Sequence, residues 1–157
     1  SPDWLEQLVG QFQFPNIGVT GPMLQQEDGR VFSAGMSLQP KPRQISRGES
    51  SSHIGWMGIH SVARTVTAVS GACMAFRRSA FDEVGGFSEN YQYSYADVDF
   101  CLKLKSNNLG TVWTPEAKVY HFDARTRGDK SADSDQSVFE KRWGRFCSED
   151  AYTRSNA

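Results

Sequence analysis

The sequence predicts an α/β domain, a mixed sheet flanked by helices, and three observations predict it. Segments rich in β-branched and apolar residues, IGVTGPML, RTVTAVSGACMAF and TVWTPEAKVYHF, alternate with segments of helical character, DWLEQLVGQF, SAFDEV, DVDFCLKLKS and QSVFEKRWGRF. The length, 157 residues, is that of one domain, able to bury roughly two-thirds of its unfolded surface. The composition, 38% hydrophobic and 22% charged, is that of a globular chain and not of a disordered one. No internal repeat is present.

Taken in order, Pro2 opens a first helix in which Trp4, Leu5, Leu8, Val9 and Phe12 form one stripe, and Phe14-Pro15-Asn16 ends it. Ile17 to Leu24 reads as a strand whose end Pro22 makes an edge or a bend. The turn Glu27-Asp28-Gly29 leads into RVFSAGMSL, the return strand of a hairpin. From residue 39 to 64 the composition turns to Pro, Ser, Gly and basic residues, as in a long and partly mobile loop. Thr65 to Phe76 reads as a buried strand with Gly71 breaking its middle. Ser79 to Val84 is then a short helix, stopped by Gly85-Gly86. A further helix runs from near Asp97 to Ser106, and strands come after it around Thr111–Thr114 and from Ala117 to Phe122, separated by a kink at Pro115. QSVFEKRWGRF closes the order as an amphipathic helix.

A net charge of −1 argues against a broad electrostatic grip on nucleic acid. No apolar run approaches the ~20 residues that span a bilayer. Cys73, Cys101 and Cys147 are odd in number, far apart and set among apolar neighbours, with no zinc-like spacing. They read as reduced core thiols, which favours a cytoplasmic setting, with any attachment to a membrane surface supplied by other parts of a longer protein. The chain opens at Ser1, compatible with a processed protein or a piece of a longer one.

The segments SPDWLEQLVGQF, SGACMAFRRSAFDEVGGFSENY and YADVDFCLKLKSNNLGTVWTPEAKVYHF, in this order, resemble glycosyltransferase family 2, the inverting, nucleotide-sugar-dependent enzymes of GT-A fold. The resemblance runs from Ser1 to about Phe146. Its most specific parts are the Gly–Arg–Arg–GGF run, Asp-Val-Asp at a helix start, and a strand ending in Tyr-His. In that family a Rossmann-like first half binds the nucleotide and ends in an Asp-x-Asp that holds a divalent metal, and a segment like SPDWLE comes shortly after it. The resemblance therefore implies that residues 1–157 form a single domain, the acceptor-side, C-terminal portion of a GT-A glycosyltransferase lacking the N-terminal nucleotide-binding half. By itself such a portion would bind nucleotide-sugar poorly and transfer no sugar. It would also leave an open sheet edge and an apolar face that a homodimer would cover.

Inverting transfer needs one carboxylate to take the proton of the attacking hydroxyl. The resemblance places that base in Ala96-Asp97-Val98-Asp99, with Asp97 preferred and Asp99 the alternative, since family members commonly carry an acid where Ala96 stands. The positive end of a helix favours a carboxylate at such a place, and the bland reading is an acid that only settles that helix end. His121 is the candidate metal ligand, beside acids absent from this chain, for an ion of Mn or Mg type. Arg125 and Arg127 are candidates for the donor diphosphate, or else belong to a solvated loop. Gly71, Tyr93, Tyr95 and Trp56 are candidates for the acceptor, the tyrosines as stacking faces or as one side of a half-buried strand. His53 joins Trp56 as a candidate part of an acceptor lid, and Arg77 and Arg78 read as structural. The implied partners are a nucleotide-sugar donor and a glycan or lipid-linked acceptor.

Two rival readings stand beside this one. A glycoside hydrolase would need a second carboxylate, with Glu89 the one to pair with Asp97. A non-catalytic glycan- or protein-binding module is favoured by Ala96 and Ser88, where relatives often have acids.

Overall fold

The computed structural model describes residues 1–38, 41–122 and 133–147. Helix α1 (Trp4–Gly10) runs through a tight turn at Gln11–Gln13 into β1 (Ile17–Gln25), which is buried along its whole length. Strands β2 (Val31–Ser33), β3 (Met36–Ser37), β4 (Arg43–Gln44), β5 (Arg64–Thr65) and β6 (Ala75–Phe76) are short. Helices α2 (Arg78–Glu83) and α3 (Ala96–Ser106), strand β7 (Gly110–Tyr120) and helix α4 (Asp133–Cys147) complete the described elements.

The main sheet is mixed, in the order β2-β1-β7-β5, with β6 also on β1. β1 is its centre: β7 runs parallel to it on one side, while β6 and β2 lie antiparallel on the other. The α/β class read from the sequence is the one observed. Pro22, expected at an edge or a bend, instead stands inside this central strand. The register explains how. Pro22 faces Thr114 but Met23 faces Lys118, so residues 115–117 of β7 bulge out beside the proline. A missing backbone donor is thereby confined to a point where the ladder is already interrupted. The same bulge carries β7 through Pro115 as one strand, where two had been expected.

Thr65–Phe76 is not one strand. Its two ends pair, as β5 on β7 and β6 on β1, and the stretch that crosses between them makes a single antiparallel bridge, Ala68 with Met36. α2 ends where expected: Gly85 and Gly86 take φ of +72° and +65°, and the Gly86 N–H reaches back to the Phe81 carbonyl. Arg77 pins the chain behind it, donating to the carbonyls of Phe12, Phe14 and Ile17. Arg78 makes an exposed pair with Asp82.

The described part of the 39–64 segment carries more pairing than its composition suggests. β4 pairs with β3, Ile45 exchanges bonds with Ala34 and Gly35, and buried His60 bonds the His53 carbonyl and the Ser46 hydroxyl. The α1 stripe is only partly used, since Leu8 is buried while Trp4, Leu5 and Val9 stay exposed. Cys101 and Cys147 are buried, Cys73 is half-buried, and all three are free thiols. Among the described residues no helix is long and apolar enough to cross a membrane.

α3 is the element that positions the site. Val98 to Leu102 are all buried, so it is enclosed on nearly every side. Phe76, Phe81, Phe87 and Phe100 pack it against α2. α4 closes the opposite flank, with Tyr95 stacked on Phe139 and Trp143 bonded to Asp99.

Candidate functional site

A cleft of about 570 Å³ opens at the N-terminus of α3. Its polar groups come from Ser70 and Gly71 of the crossing segment, from the entry to α3 between Tyr93 and Asp97, from Gln44, and from His121 beyond β7. Phe32, Met36 and Phe87 add apolar surface. The cleft thus joins ionisable groups to aromatic faces, as a site for a polar ligand with ring-shaped parts would.

Asp97 sits in the first turn of α3, partly exposed on this cleft. The Gly71 N–H donates to its Oδ2 at 2.8 Å and the Val98 N–H to its Oδ1 at 2.9 Å. Each carboxylate oxygen is held by one backbone donor and keeps a lone pair for another partner. A Cβ on Gly71 would lie 3.1 Å from the Asp97 Cβ and 3.4 Å from Oδ2. The missing side chain at position 71 therefore admits the carboxylate of Asp97, and Gly71 itself lines the cleft.

Asp99 has a different surrounding. It is fully buried and does not line the cleft. Its Oδ1 accepts from Trp143 Nε1 at 2.8 Å and from the Tyr91 hydroxyl at 3.3 Å, and Arg142 Nη1 stands 3.1 Å away. Lys103 Nζ lies 3.8 Å from Oδ2. The alternative assignment of the base to Asp99 meets this enclosure, because a hydroxyl arriving in the cleft has no route to it. Burial, followed by the Asp99 charge, pushes the Tyr91 phenol up to about 12, and burial lowers the Lys103 ammonium.

The three tyrosines form no strand. Tyr91 is buried on Asp99, Tyr93 stands exposed on the cleft, and Tyr95 is half-buried on Phe139. Tyr95 has φ of +69°, a left-handed conformation that costs a bulky residue energy. Its carbonyl accepts the first helical bond of α3, from the Asp99 N–H at 2.8 Å.

His121 is half-buried, its ring edge-on to Phe32 with centroids 4.3 Å apart, and its backbone N–H bonds the Gln25 carbonyl. It lines the same cleft as Asp97. Among the described residues no three His, Cys, Asp or Glu cluster closely enough to hold an ion. One imidazole does not make a divalent-metal site, so the described residues do not complete one.

Arg125 and Arg127 lie outside the described residues, as does the Trp56 side chain, whose backbone belongs to a turn at Trp56–Gly58. His53 is exposed, and its ring accepts from the Gly55 N–H. Of the described side chains in that segment, Pro42 and Gln44 reach the cleft.

Sequence reasoning missed Asp135. This carboxylate on α4, 1% exposed, accepts the N–H groups of Gln92, Tyr93 and Ser94 at 2.7 to 3.1 Å. Burial acts to raise its proton affinity, but the three amides outweigh that and hold it below the ordinary carboxylate range. An acid among DKSADSDQS reads as part of a solvated loop, and only the contact across more than forty residues reveals its use.

A family model described as glycosyl transferase family group 2 matches residues 1–147. The chain is 31% identical over 147 residues to the uncharacterized protein y4gI of Sinorhizobium fredii, covering 90% of this chain and 16% of that protein. It is 31% identical over 136 residues to the O-antigen biosynthesis protein RfbC of Myxococcus xanthus, covering 80% of this chain and 10% of the relative. It is 30% identical over 129 residues to an N-acetylglucosaminyl-diphospho-decaprenol L-rhamnosyltransferase of Mycobacterium tuberculosis, covering 74% and 41%. The chain spans less than half the length of each of these relatives.

Proposed function

The chain belongs to glycosyl transferase family group 2, and from that premise we propose that it forms the acceptor side of an inverting glycosyltransferase with Asp97 as general base. The observation that carries the reading is the carboxylate of Asp97, open to the cleft and fixed by the Gly71 and Val98 amides. A hydroxyl entering from the cleft meets an acceptor oxygen that is already oriented, so little reorganisation is needed when the proton moves. The hydroxyl oxygen attacks the anomeric carbon, the bond to the nucleotide diphosphate breaks, and the proton passes to Asp97. Tyr93 offers the acceptor an aromatic face.

The donor is read as a nucleotide-diphosphate sugar and the acceptor as a glycan or a lipid-linked sugar. The name of the mycobacterial relative, an enzyme acting on a decaprenol-linked sugar, supports this class. A divalent ion on the diphosphate belongs to the same reading, with its principal ligands outside the described residues and His121 a candidate for one place.

The test is Asp97→Asn in the whole protein, assayed with a panel of uridine-, guanosine- and thymidine-diphosphate sugars. Removing a general base should lower kcat by about 10²–10⁴-fold, with the donor KM little changed. Transfer at the wild-type rate in this variant would refute the assignment.

A further inference from the structure

The wall of the cleft that leads into Asp97 is held from behind by a group that no ligand can touch. Residues 92–94 form no helix or strand, yet their three successive N–H groups all point at one carboxylate, that of Asp135 on α4. Successive amides turned the same way make a concave site for an anion, and here the chain supplies that anion itself. The bonds are charge-assisted and out of solvent, which makes them stronger than ordinary loop contacts.

The contact matters because of the residues that come directly after it. Tyr95, in the left-handed conformation, is next in the chain, and two residues later comes Asp97. A strained backbone persists only where its surroundings over-determine it. Here three of the determinants come from one helix: Asp135 holds the amides before Tyr95, Phe139 stacks on its ring at 5.0 Å, and Trp143 holds Asp99 after it. Asp135, Phe139 and Trp143 are four residues apart in turn, so they share one face of α4.

We infer that Asp135 is a positioning residue for the acceptor side of the cleft, fixing the 92–94 backbone so that Tyr93 lines the wall and Asp97 meets the Gly71 amide. The functional half of this inference rests on the proposed role of Asp97. Its structural half does not. An error of about 1 Å in such a constellation is enough to cost on the order of 10²-fold in rate.

The test is Asp135→Asn, which keeps the volume but removes the charge and turns an amide NH₂ toward backbone donors. Amide resonances and exchange rates are read by nuclear magnetic resonance on the nitrogen-labelled chain. Faster exchange is expected at Gln92, Tyr93 and Ser94. The decisive signals are Gly71 and Val98, whose amides donate to Asp97 and make no contact with Asp135. If these two also shift and exchange faster, position 135 governs position 97. If they keep their wild-type values, Asp135 merely ties a loop and the inference is overturned. Should Asp135→Asn fail to fold, Asp135→Glu, with the charge kept and the arm one methylene longer, is read on the same signals.

In the whole protein, with the same panel of nucleotide sugars, Asp135→Asn should lower kcat by about 10–100-fold and leave the donor KM within about twofold. A parallel Asp97→Asn separates the two ideas. If that variant turns over normally, the base assignment falls, while the Gly71 and Val98 signals still decide the positioning role.

Discussion

At the scale of single residues, Gly71 and Asp97 act as a pair. Adding a methyl group at position 71 brings it to 3.1 Å from the Asp97 Cβ, which is part of a buried helix and cannot easily retreat. The carboxylate would have to turn away and give up the Gly71 amide. Alanine also restricts the unfolded chain, worth about 0.4–1 kcal/mol in favour of folding where the site can accept it. The two effects on stability oppose each other, whereas nothing offsets the displaced carboxylate. Gly71→Ala is therefore expected to lower kcat of the whole protein by about tenfold or more while the melting temperature moves by only a few degrees, read by differential scanning calorimetry beside the rate assay. The two acids of Asp-Val-Asp were legible as residues pointing different ways, since positions two apart on a helix do not face each other. That Asp99 is enclosed was not legible, because Trp143, which bonds it, is 44 residues away.

At the scale of elements, the helices were easier to read than the strands. α3 and its stop are dictated by local residues: acids in the first turn, lysines in the last, Asn107 and Asn108 beyond. The course of Thr65–Phe76 is not, because strand pairing is decided by partners remote in sequence, and its two ends and Ala68 find three different ones. Pro22 was misplaced for the same reason, since its accommodation depends on a bulge in a strand about ninety residues later. The joining of α3 to α4 is another such long-range tie. Asp99 there balances Arg142 and Lys103 and accepts the Trp143 N–H out of water. Removing its charge leaves two cations facing a neutral amide, and breaking a buried pair in this way costs about 3–5 kcal/mol. Asp99→Asn should thus lower the melting temperature by roughly 6–20 °C for a domain of this size. If Asp99 is structural, the molecules that stay folded keep the wild-type pH dependence of kcat. An altered pH profile at unchanged stability would return the base to Asp99.

At the scale of the whole molecule, groups buried on both sides of α3 make stability depend on pH, and the two ends of the scale act with opposite sign. Asp135 has its folded proton affinity depressed, so its contribution is present above the ordinary aspartate range and is lost as pH falls through its lower folded value. Tyr91 and Cys101 are raised, each to about 12, from ordinary values of 10.0 and 9.0, with burial the largest cause in both. For a raised group the contribution is complete below the unfolded value and disappears as pH climbs through the folded one. Below about pH 9 both are neutral in either state and cost nothing. Between about 9 and 12 the unfolded chain releases protons that the folded chain retains, and stability declines by about 1.4 kcal/mol per pH unit for each group then titrating. The Cys101 part begins first, from about pH 9, and the Tyr91 part joins near pH 10, where Asp99 opposes the phenolate and Arg142 favours it. Denaturant titrations of the chain at half-unit steps from about pH 8 to 12 should show this two-stage decline. Cys101→Ala should reduce the earlier stage, to which half-buried Cys73, also raised by burial, adds. Tyr91→Phe should remove the later one, while Lys103, lowered by burial, acts with the opposite sign. A decline of unchanged slope in both variants would mean that neither buried group sets the alkaline limit.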